Sequence, residues 1–262
     1  MKPFLKDGKS LLIAYDQGLE HGPSADFDDR NVNPQFIMDI AEKGNFSGVV
    51  FQKGCAEKYY KESSGIPLIV KVNGKANLTK GDVISRQVCS VKKAISIGAK
   101  GIGYTIYAGS SYESEMFQEF GRIQEEAHDH GLPAISWVYP RGGKIPDLGG
   151  DSTKETVAYA ARIGLELGAD AVKIKYSGNS EDFKWAVQSA GKAHVFMSGG
   201  PKTNTDEDFL KLVTGVMDAG ATGVAVGRNV WQHQDPLNIT AKIKEIIFNN
   251  FYNVIIVFFC TT

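Results

Sequence analysis

The chain has 262 residues, of which 42% are hydrophobic and 23% charged, and its formal net charge is −1. This composition is typical of an ordinary globular domain and excludes a disordered chain, a fibre and a disulfide-stapled scaffold. A net charge so close to zero gives no general attraction to nucleic acid or to a membrane surface, so we expect neither as a partner.

The cysteines and the apolar runs indicate the cellular compartment in which the protein is expected. Cys55, Cys89 and Cys260 show no C-x-x-C spacing, which indicates reduced thiols, and the N-terminus lacks the apolar core of a signal peptide. These features predict a cytoplasmic protein. The longest apolar run, Val254 to Cys260, is far shorter than the roughly 20 residues that cross a bilayer. Residues 249–262 carry no charge and have high strand propensity, and their structure is left open at this point.

Short runs rich in β-branched residues alternate along the chain with segments of helical periodicity. The predicted strands are, in chain order, 11–15, 48–52, 68–72, 101–107, 134–139, 171–176, 194–197 and 223–226. The clearest predicted helices cover residues 34–43, 88–97, 113–130, 153–167, 206–219 and 229–248. Residues 55–61 and 78–87 give no clear prediction.

A glycine follows several of the predicted helices shortly before the next strand. The positions are Gly44, Gly98, Gly131, Gly168 and Gly220. Glycine ends a helix readily because it adopts the left-handed conformation at little cost. Alternating helices and strands without a linker rich in Pro or Ser predict one (β/α)₈ barrel domain over residues 1–262. The alternative is an open doubly wound sheet, although no G-x-G-x-x-G follows the first strand.

The predicted strand at 171–176 carries the sharpest chemical signal. Lys173 and Lys175 are two residues apart and share one strand face, with Ile174 on the other. The aliphatic face should pack on helices, so both lysines should point into the barrel. Burial and a second cation lower the pKa of a lysine and favour the neutral amine that attacks a ketone. Alternatively, one or both lysines bind a phosphate at the barrel mouth, and Lys71 is another candidate nucleophile.

The residues after the last two predicted strands indicate a phosphate site. Ser198, Gly199 and Gly200 allow the backbone to approach an anion closely, and Arg228 follows Gly227 directly. Barrels commonly bind phosphate at this position. The alternative is that these glycines only form tight turns.

Three further polar residues lie at predicted strand ends. Tyr139 is a candidate general acid or base, Asp16 could pair with the lysines, and Arg141 could bind a second phosphate. The structural alternatives are a core tyrosine bonded to a carbonyl, a helix cap and a surface turn. The five histidines form no cluster with the spacing of a zinc site, so we expect no metal.

Together, five ordered motifs resemble a known family. They are AYDQGLEHGP at 14–23, YPRGGK at 139–144, KIKYSG at 173–178, SGGPKT at 198–203 and GRNVWQ at 227–232. With these motifs the sequence from about residue 5 to residue 248 resembles the archaeal-type class I fructose-bisphosphate aldolases. The resemblance implies a (β/α)₈ barrel that reversibly cleaves fructose 1,6-bisphosphate to dihydroxyacetone phosphate and glyceraldehyde 3-phosphate. It also implies a Schiff-base lyase of glycolysis or gluconeogenesis that uses no cofactor and forms a homo-oligomer, often a decamer.

The resemblance assigns a role to each motif residue. It implies Lys173 as the Schiff-base lysine, Tyr139 as the proton donor and Asp16 as a third catalytic residue. The implied substrate-binding residues are Gln17, His21, Trp137, Arg141, Lys175, Ser198, Gly199, Gly200, Gly227 and Arg228. Gln17 departs from the family pattern, because many relatives have His there.

Two other functions stay open at this point. A sister family with the same lysine and tyrosine makes 2-amino-3,7-dideoxy-D-threo-hept-6-ulosonate for aromatic amino acid biosynthesis. Tyr15 before Asp16 and the run at 20–23 favour the aldolase. The other is a phosphosugar-binding barrel without catalysis, which the presence of both the lysine and the tyrosine disfavours.

Overall fold

The computed structural model describes residues 1–22, 26–78 and 80–259, with the backbone alone over 249–259. Ten strands occur in these ranges: β1 (Ser10–Tyr15), β2 (Gly48–Gln52), β3 (Leu68–Lys71), β4 (Asn73–Gly74), β5 (Arg86–Gln87), β6 (Ala99–Ala108), β7 (Ala134–Pro140), β8 (Ala171–Ile174), β9 (His194–Ser198) and β10 (Gly223–Val226). Eight of them form a closed parallel barrel in the order β1-β2-β3-β6-β7-β8-β9-β10, while β4 and β5 form a separate antiparallel pair. The predicted eight-stranded barrel is therefore confirmed.

The helices follow the barrel strands along the chain. They are α1 (Gln17–His21), α2 (Pro34–Lys43), α3 (Lys53–Tyr59), α4 (Val91–Ser96), α5 (Glu113–Asp129), α6 (Lys154–Glu166), α7 (Ser180–Ser189), α8 (Asp206–Asp218), α9 (Arg228–Trp231) and α10 (Pro236–Phe259). Asn, Ser or Thr side chains cap five of these helices, where their oxygen accepts a hydrogen bond from a free backbone N–H of the first turn. The capping residues are Asn33, Ser90, Thr153, Asn179 and Thr205.

Alternation along each strand separates the barrel interior from the layer beneath the helices. In β1, Leu12 and Ala14 point inward, whereas Leu11 and Ile13 pack outward against helices. Phe4, from a short 3₁₀ helix (Lys2–Phe4), is fully buried and joins the interior cluster at the amino end of the strands. The barrel bottom is thereby filled with apolar side chains, and the carboxyl ends of the strands are left for polar residues.

Glycine adopts the left-handed conformation after a helix at four of the five predicted positions. Gly98, Gly131, Gly168 and Gly220 have φ values of 95°, 71°, 83° and 89°. Gly44 differs, because its φ is −78° and the left-handed residue is Asn45. A side chain at Gly44 would place its Cβ 2.8 Å from the Phe46 ring, so glycine is required there for space.

The single helix predicted over 229–248 is wrong. The chain forms α9, breaks after Trp231 and starts α10 at Pro236, which cannot donate a backbone hydrogen bond and therefore begins a helix. The Asp235 carboxylate accepts from the Asn238 N–H at 3.0 Å and caps the new helix.

The other unclear segments also gain a structure. Residues 53–59 form α3, and most of 78–87 is irregular before β5. Despite high strand propensity, the backbone of residues 249–259 continues α10, because extending a formed helix gains one hydrogen bond per residue ordered. Residues 260–262 lie outside the described residues. Within the described ranges, none of the helices combines the length and apolar character that a membrane crossing requires.

Candidate active site

A cavity of about 220 Å³ opens at the carboxyl ends of the barrel strands. It is lined by all the site residues that the motifs indicated: Asp16, Gln17, His21, Trp137, Tyr139, Arg141, Lys173, Lys175, Ser198, Gly199, Gly200, Gly227 and Arg228. Residues from the ends of five strands and the loops after them therefore meet in one place, as expected for the site end of a parallel barrel.

Lys173 lies inside the barrel beside Trp137. The two are register partners on β8 and β7, and the Lys173 ammonium nitrogen lies 5.1 Å from the centre of the Trp137 ring. Lys173 is 7% exposed and forms no ion pair with any carboxylate in the described part of the chain. Burial lowers the pKa of this lysine; Asp16 opposes that change and the nearby Lys71 ammonium reinforces it. The side chain is thus poised to supply a neutral amine.

Lys71 also enters the barrel interior, from β3, but its surroundings are opposite in charge. Its ammonium pairs with the Glu20 carboxylate and lies 3.6 Å from the Asp16 carboxylate. Burial alone would lower the pKa of Lys71, but these two carboxylates outweigh burial and raise it. Lys71 therefore stays protonated, and of the two fully enclosed lysines Lys173 is the candidate nucleophile.

Glu20 and Tyr107 complete this buried charge cluster. The Glu20 carboxylate also accepts a hydrogen bond from the Tyr107 hydroxyl at 2.7 Å. Burial and the neighbouring Glu20 carboxylate raise the pKa of Tyr107, so its hydroxyl stays a donor. The sequence reasoning did not assign a role to Glu20 or Tyr107. Glu20 lies within the motif at 14–23 and Tyr107 near the end of a barrel strand, and these were the available signals.

Asp16 acts as a partner of lysines rather than as a helix cap. It precedes α1, but its side chain accepts no capping hydrogen bond there. Burial opposes ionisation of Asp16, yet the charges of Lys71 and Lys173 lower its pKa overall. The carboxylate therefore stays ionised among the two lysines.

Tyr139 lies two residues beyond Trp137 on β7, so it faces the same interior at the level above Lys173. Burial raises its pKa, although a hydrogen bond to Ser198 opposes that change. The phenol is therefore protonated at neutral pH and can donate a proton towards the centre of the cavity.

One end of the cavity is built for an anion. Gly200 has φ +64°, and a Cβ at Gly199 would lie 3.1 Å from the Ala225 carbonyl oxygen, so both glycines are needed for this backbone path. The Arg228 guanidinium lies at the same end and donates to the Gly200 carbonyl at 3.2 Å. It also lies 3.5 Å from the Asp26 carboxylate. Exposed backbone amides next to a guanidinium are typical of a phosphate site.

Arg141 and Lys175 lie elsewhere around the cavity. The Arg141 guanidinium stacks 5.2 Å from the Tyr107 ring centre and 6.0 Å from that of Tyr139, and it forms no ion pair among the described residues. Lys175 does not point into the barrel interior as predicted. Because β8 ends at Ile174, Lys175 lies at the mouth, 35% exposed, and pairs with Asp151.

Two buried donors in the cavity have no partner of their own. They are the side-chain amide nitrogen of Gln17 and the indole nitrogen of Trp137. A buried donor without an acceptor is unfavourable, so both favour a ligand that carries oxygen atoms. His21 lies beside them, and burial, together with the Arg228 charge, lowers its pKa so that the ring is neutral. Over the ranges that the structure covers, no three His, Cys, Asp or Glu side chains come together as a metal site would need.

Residues 10–233 match the family model described as DeoC/LacD family aldolase. The chain is also 52% identical over 250 residues to the class 1 fructose-bisphosphate aldolase of Thermoproteus tenax, an alignment that covers 95% of this chain and 93% of that one. The chain belongs to the DeoC/LacD aldolases and, among them, to the class I fructose-bisphosphate aldolase family. This confirms the resemblance carried by the five motifs.

Two further relatives place the chain within this aldolase family. A solved archaeal fructose-1,6-bisphosphate aldolase, described with its catalytic Lys covalently bound to the carbinolamine intermediate of the substrate, superimposes with a TM-score of 0.89. It is 52% identical, and the match covers 94% of this chain and 96% of that chain. A Methanocaldococcus jannaschii protein named fructose-bisphosphate aldolase/6-deoxy-5-ketofructose 1-phosphate synthase is 39% identical over 93% of this chain and 81% of its own.

Proposed function

We propose that the protein is a class I fructose-bisphosphate aldolase that reversibly cleaves fructose 1,6-bisphosphate to dihydroxyacetone phosphate and glyceraldehyde 3-phosphate. The observation that carries the proposal is Lys173, a buried lysine without an ion pair at the centre of a cavity that has an anion site at one end. Family membership supports the same reaction. Lys173, Tyr139 and Asp16 are the proposed catalytic residues.

The first chemical steps join the ketose to the enzyme. The neutral Lys173 amine attacks the C2 carbonyl and forms a carbinolamine. The Tyr139 phenol donates its proton to the departing C2 hydroxyl, which leaves as water, and an iminium ion remains. Lys71, kept cationic by its two carboxylates, stabilises the resulting Tyr139 phenolate.

Cleavage then uses the iminium as an electron sink. The Tyr139 phenolate takes the proton of the C4 hydroxyl, the C3–C4 bond breaks, and its electron pair moves towards the iminium nitrogen. Glyceraldehyde 3-phosphate leaves as the aldehyde, and an enamine stays on Lys173. Protonation at C3 and addition of water to the iminium release dihydroxyacetone phosphate and return the amine.

The buried charges match the charge change of this cycle. Asp16, Glu20 and Lys71 together carry one net negative charge next to Lys173. Before substrate binds, burial keeps the lysine amine accessible in its neutral form. Once the iminium forms, its fixed positive charge is balanced by the cluster, which favours the covalent intermediate over the free carbonyl.

The two phosphates hold the ketose in register. We assign one phosphate to Ser198, Gly199, Gly200, Gly227 and Arg228, and the other to Arg141 and Lys175. Gln17, His21 and Trp137 line the same cavity, and the unpartnered donors of Gln17 and Trp137 suit the sugar hydroxyls. Binding both phosphates places the C2 carbonyl of the substrate next to the Lys173 amine. Binding energy is thereby used to orient the substrate for attack.

Triose phosphate release from fructose 1,6-bisphosphate, followed with a coupled dehydrogenase assay, tests the function. We expect turnover and, in the presence of borohydride and dihydroxyacetone phosphate, inactivation with a reduced adduct on the peptide that carries Lys173. The sister synthase gives the contrasting outcome. No triose phosphate release, together with turnover of a 6-deoxy-ketohexose phosphate and aspartate semialdehyde, would overturn the aldolase proposal.

We also propose that residues 1–262 form one domain and that the protein works as a homo-oligomer in the cytoplasm. The resemblance supports a large assembly such as a decamer. Light scattering coupled to size-exclusion chromatography measures the assembly directly. A chain that stays monomeric at assay concentrations while fully active would contradict this part of the proposal.

A further inference from the structure

The side-chain amide of Asn229 forms its hydrogen bonds with a single loop, the loop after β9. Asn229 follows Arg228 in α9 and is only 4% exposed. Its Nδ2 donates to the Gly199 carbonyl at 3.0 Å and to the Pro201 carbonyl at 3.0 Å. Its Oδ1 accepts from the backbone N–H of Thr203 at 2.9 Å. The Thr203 hydroxyl lies 3.1 Å from the same Oδ1 and shares its one proton between it and the Thr205 carbonyl at 2.9 Å. Both donors of the amide and its oxygen are therefore used.

These bonds join the two loops that form the anion end of the cavity. The loop after β9 carries Gly199 and Gly200, and the turn after β10 carries Arg228. The loops are also linked by the Gly199 N–H to the Ala225 carbonyl at 3.0 Å and by Arg228 to the Gly200 carbonyl. Arg228 lines the cavity, where its guanidinium is free to turn donors towards an anion, whereas Asn229 does not line that cavity and its bonds lie within the protein.

The β9 loop needs such an anchor because of its composition. Two consecutive glycines give close backbone access but carry the highest conformational entropy of any residues. A loop that is ordered only when the ligand arrives weakens binding by the cost of that ordering. Three hydrogen bonds to a buried amide, with a share of the Thr203 hydroxyl proton, order the loop in advance.

We infer that Asn229 is a positioning residue, whose amide fixes the loop of residues 199–203 against the turn that carries Arg228 so that both loops bind one substrate phosphate as a unit. The inference rests on the proposed function, because it concerns the phosphate site of that reaction. Asn229 acts through these loops and does not touch the substrate.

The test compares a phosphorylated with an unphosphorylated ketone. Wild-type protein and the variants are trapped with borohydride in the presence of dihydroxyacetone phosphate or dihydroxyacetone, and KM and kcat are measured for fructose 1,6-bisphosphate. For Asn229→Ala we expect KM to rise about tenfold, which corresponds to the net contribution of one to two hydrogen bonds. The kcat should stay within about twofold of the wild-type value. The preference for the phosphorylated ketone should fall about tenfold, and trapping with dihydroxyacetone should stay unchanged.

The Asn229→Asp variant distinguishes the effect of the side chain's hydrogen bonds from the effect of its volume. The carboxylate has the same shape and still accepts from Thr203, but it faces the carbonyls of Gly199 and Pro201 without a donor. It should lose at least as much phosphate preference as Asn229→Ala. An Asp variant that retains wild-type preference would show that only volume matters and would overturn the inference.

A matched control lies in the same segment. The Thr205 hydroxyl accepts from the Asp208 N–H at 3.1 Å and caps α8, away from the cavity. Thr205→Val should lower the melting temperature without changing ketone preference. Thr203→Val, which removes the hydroxyl shared between Asn229 and the Thr205 carbonyl, should lower the preference about two- to threefold and serves if Asn229→Ala does not fold.

Two outcomes separate this inference from the proposed function. If wild-type protein forms an adduct but Asn229→Ala slows trapping of both ketones equally, Asn229 is merely structural and the inference is overturned alone. If wild-type protein forms no adduct with either ketone, the proposed function fails and takes the inference with it.

Discussion

Lys71 and Lys173 extend into the same barrel interior from β3 and β8, but among the described residues only Lys71 of the two forms ion pairs with carboxylates. Glu20 and Asp16 hold Lys71 as a cation, while burial and that cation favour the neutral form of Lys173. Two lysines of similar burial therefore differ in protonation state. Lys71 keeps its positive charge, whereas Lys173 is available as a nucleophile.

The first prediction concerns the nucleophile. Lys173→Met should abolish triose phosphate release and borohydride-trapped adduct while leaving the fold intact, because Met fills the same space without a charge to bury. Lys175→Met is the matched control two residues away at the cavity mouth. It should raise KM for fructose 1,6-bisphosphate with kcat little changed. Loss of turnover in Lys175→Met, with activity retained in Lys173→Met, would reverse the assignment.

The second prediction concerns the pH dependence of adduct formation. Removing a nearby cation raises the pKa of Lys173, and removing a nearby anion lowers it. The acid limb of the borohydride-trapping profile should therefore move to higher pH in Lys71→Met and to lower pH in Glu20→Gln. Trapping rates measured across pH with dihydroxyacetone phosphate check both. Shifts in the same direction would contradict the electrostatic role of this cluster.

The third prediction concerns the stability of the same cluster. Lys71→Met should lower the free energy of unfolding at neutral pH by about 3–5 kcal/mol, because two buried carboxylates lose their cation. The Lys71 charge lowers the folded pKa of Asp16, so removing it raises that pKa, and the stability deficit of the variant relative to wild type should shrink as pH falls and Asp16 binds a proton. Urea unfolding at several pH values measures this. The double variant Lys71→Met/Glu20→Gln should be more stable than Lys71→Met.

The fourth prediction uses a pair of tyrosines. Tyr107 and Tyr139 are register partners on β6 and β7, but Tyr107 bonds Glu20 whereas Tyr139 lines the cavity together with Lys173. Tyr139→Phe should lower kcat by about 10²–10⁴-fold, the usual contribution of a general acid–base group. Mass spectrometry of the acid-quenched variant should find the carbinolamine, which has not lost water. Tyr107→Phe should keep kcat within about tenfold, and equal losses in both variants would argue against Tyr139 as the proton donor.

The fifth prediction is that the reaction needs no metal ion. A zinc-dependent aldolase polarises the ketone with an ion, whereas the iminium on Lys173 withdraws the electrons covalently. Activity should therefore survive prolonged incubation with EDTA. Loss of activity that added zinc restores would overturn the Schiff-base mechanism even though the barrel is correct.

The sequence by itself determined the architecture, because the signals involved are local. Runs of β-branched residues, capping residues such as Asn33 and Thr205, and glycines such as Gly168 act within a few positions of the chain. The strand bounds follow from these signals to within a few residues. All the site residues implied by the resemblance line the cavity, although Lys71 and Glu20 line it as well.

Only the tertiary structure decided which of those residues interact and how they change one another's protonation and position. The choice between Lys71 and Lys173 depends on Asp16 and Glu20, which reach β3 from more than fifty positions away in the chain. Lys175 leaves the interior because β8 ends one residue earlier, and the role of Asn229 arises from a loop 26–30 residues before it. Protonation and positioning depend on distances between elements, and local sequence patterns do not encode those distances.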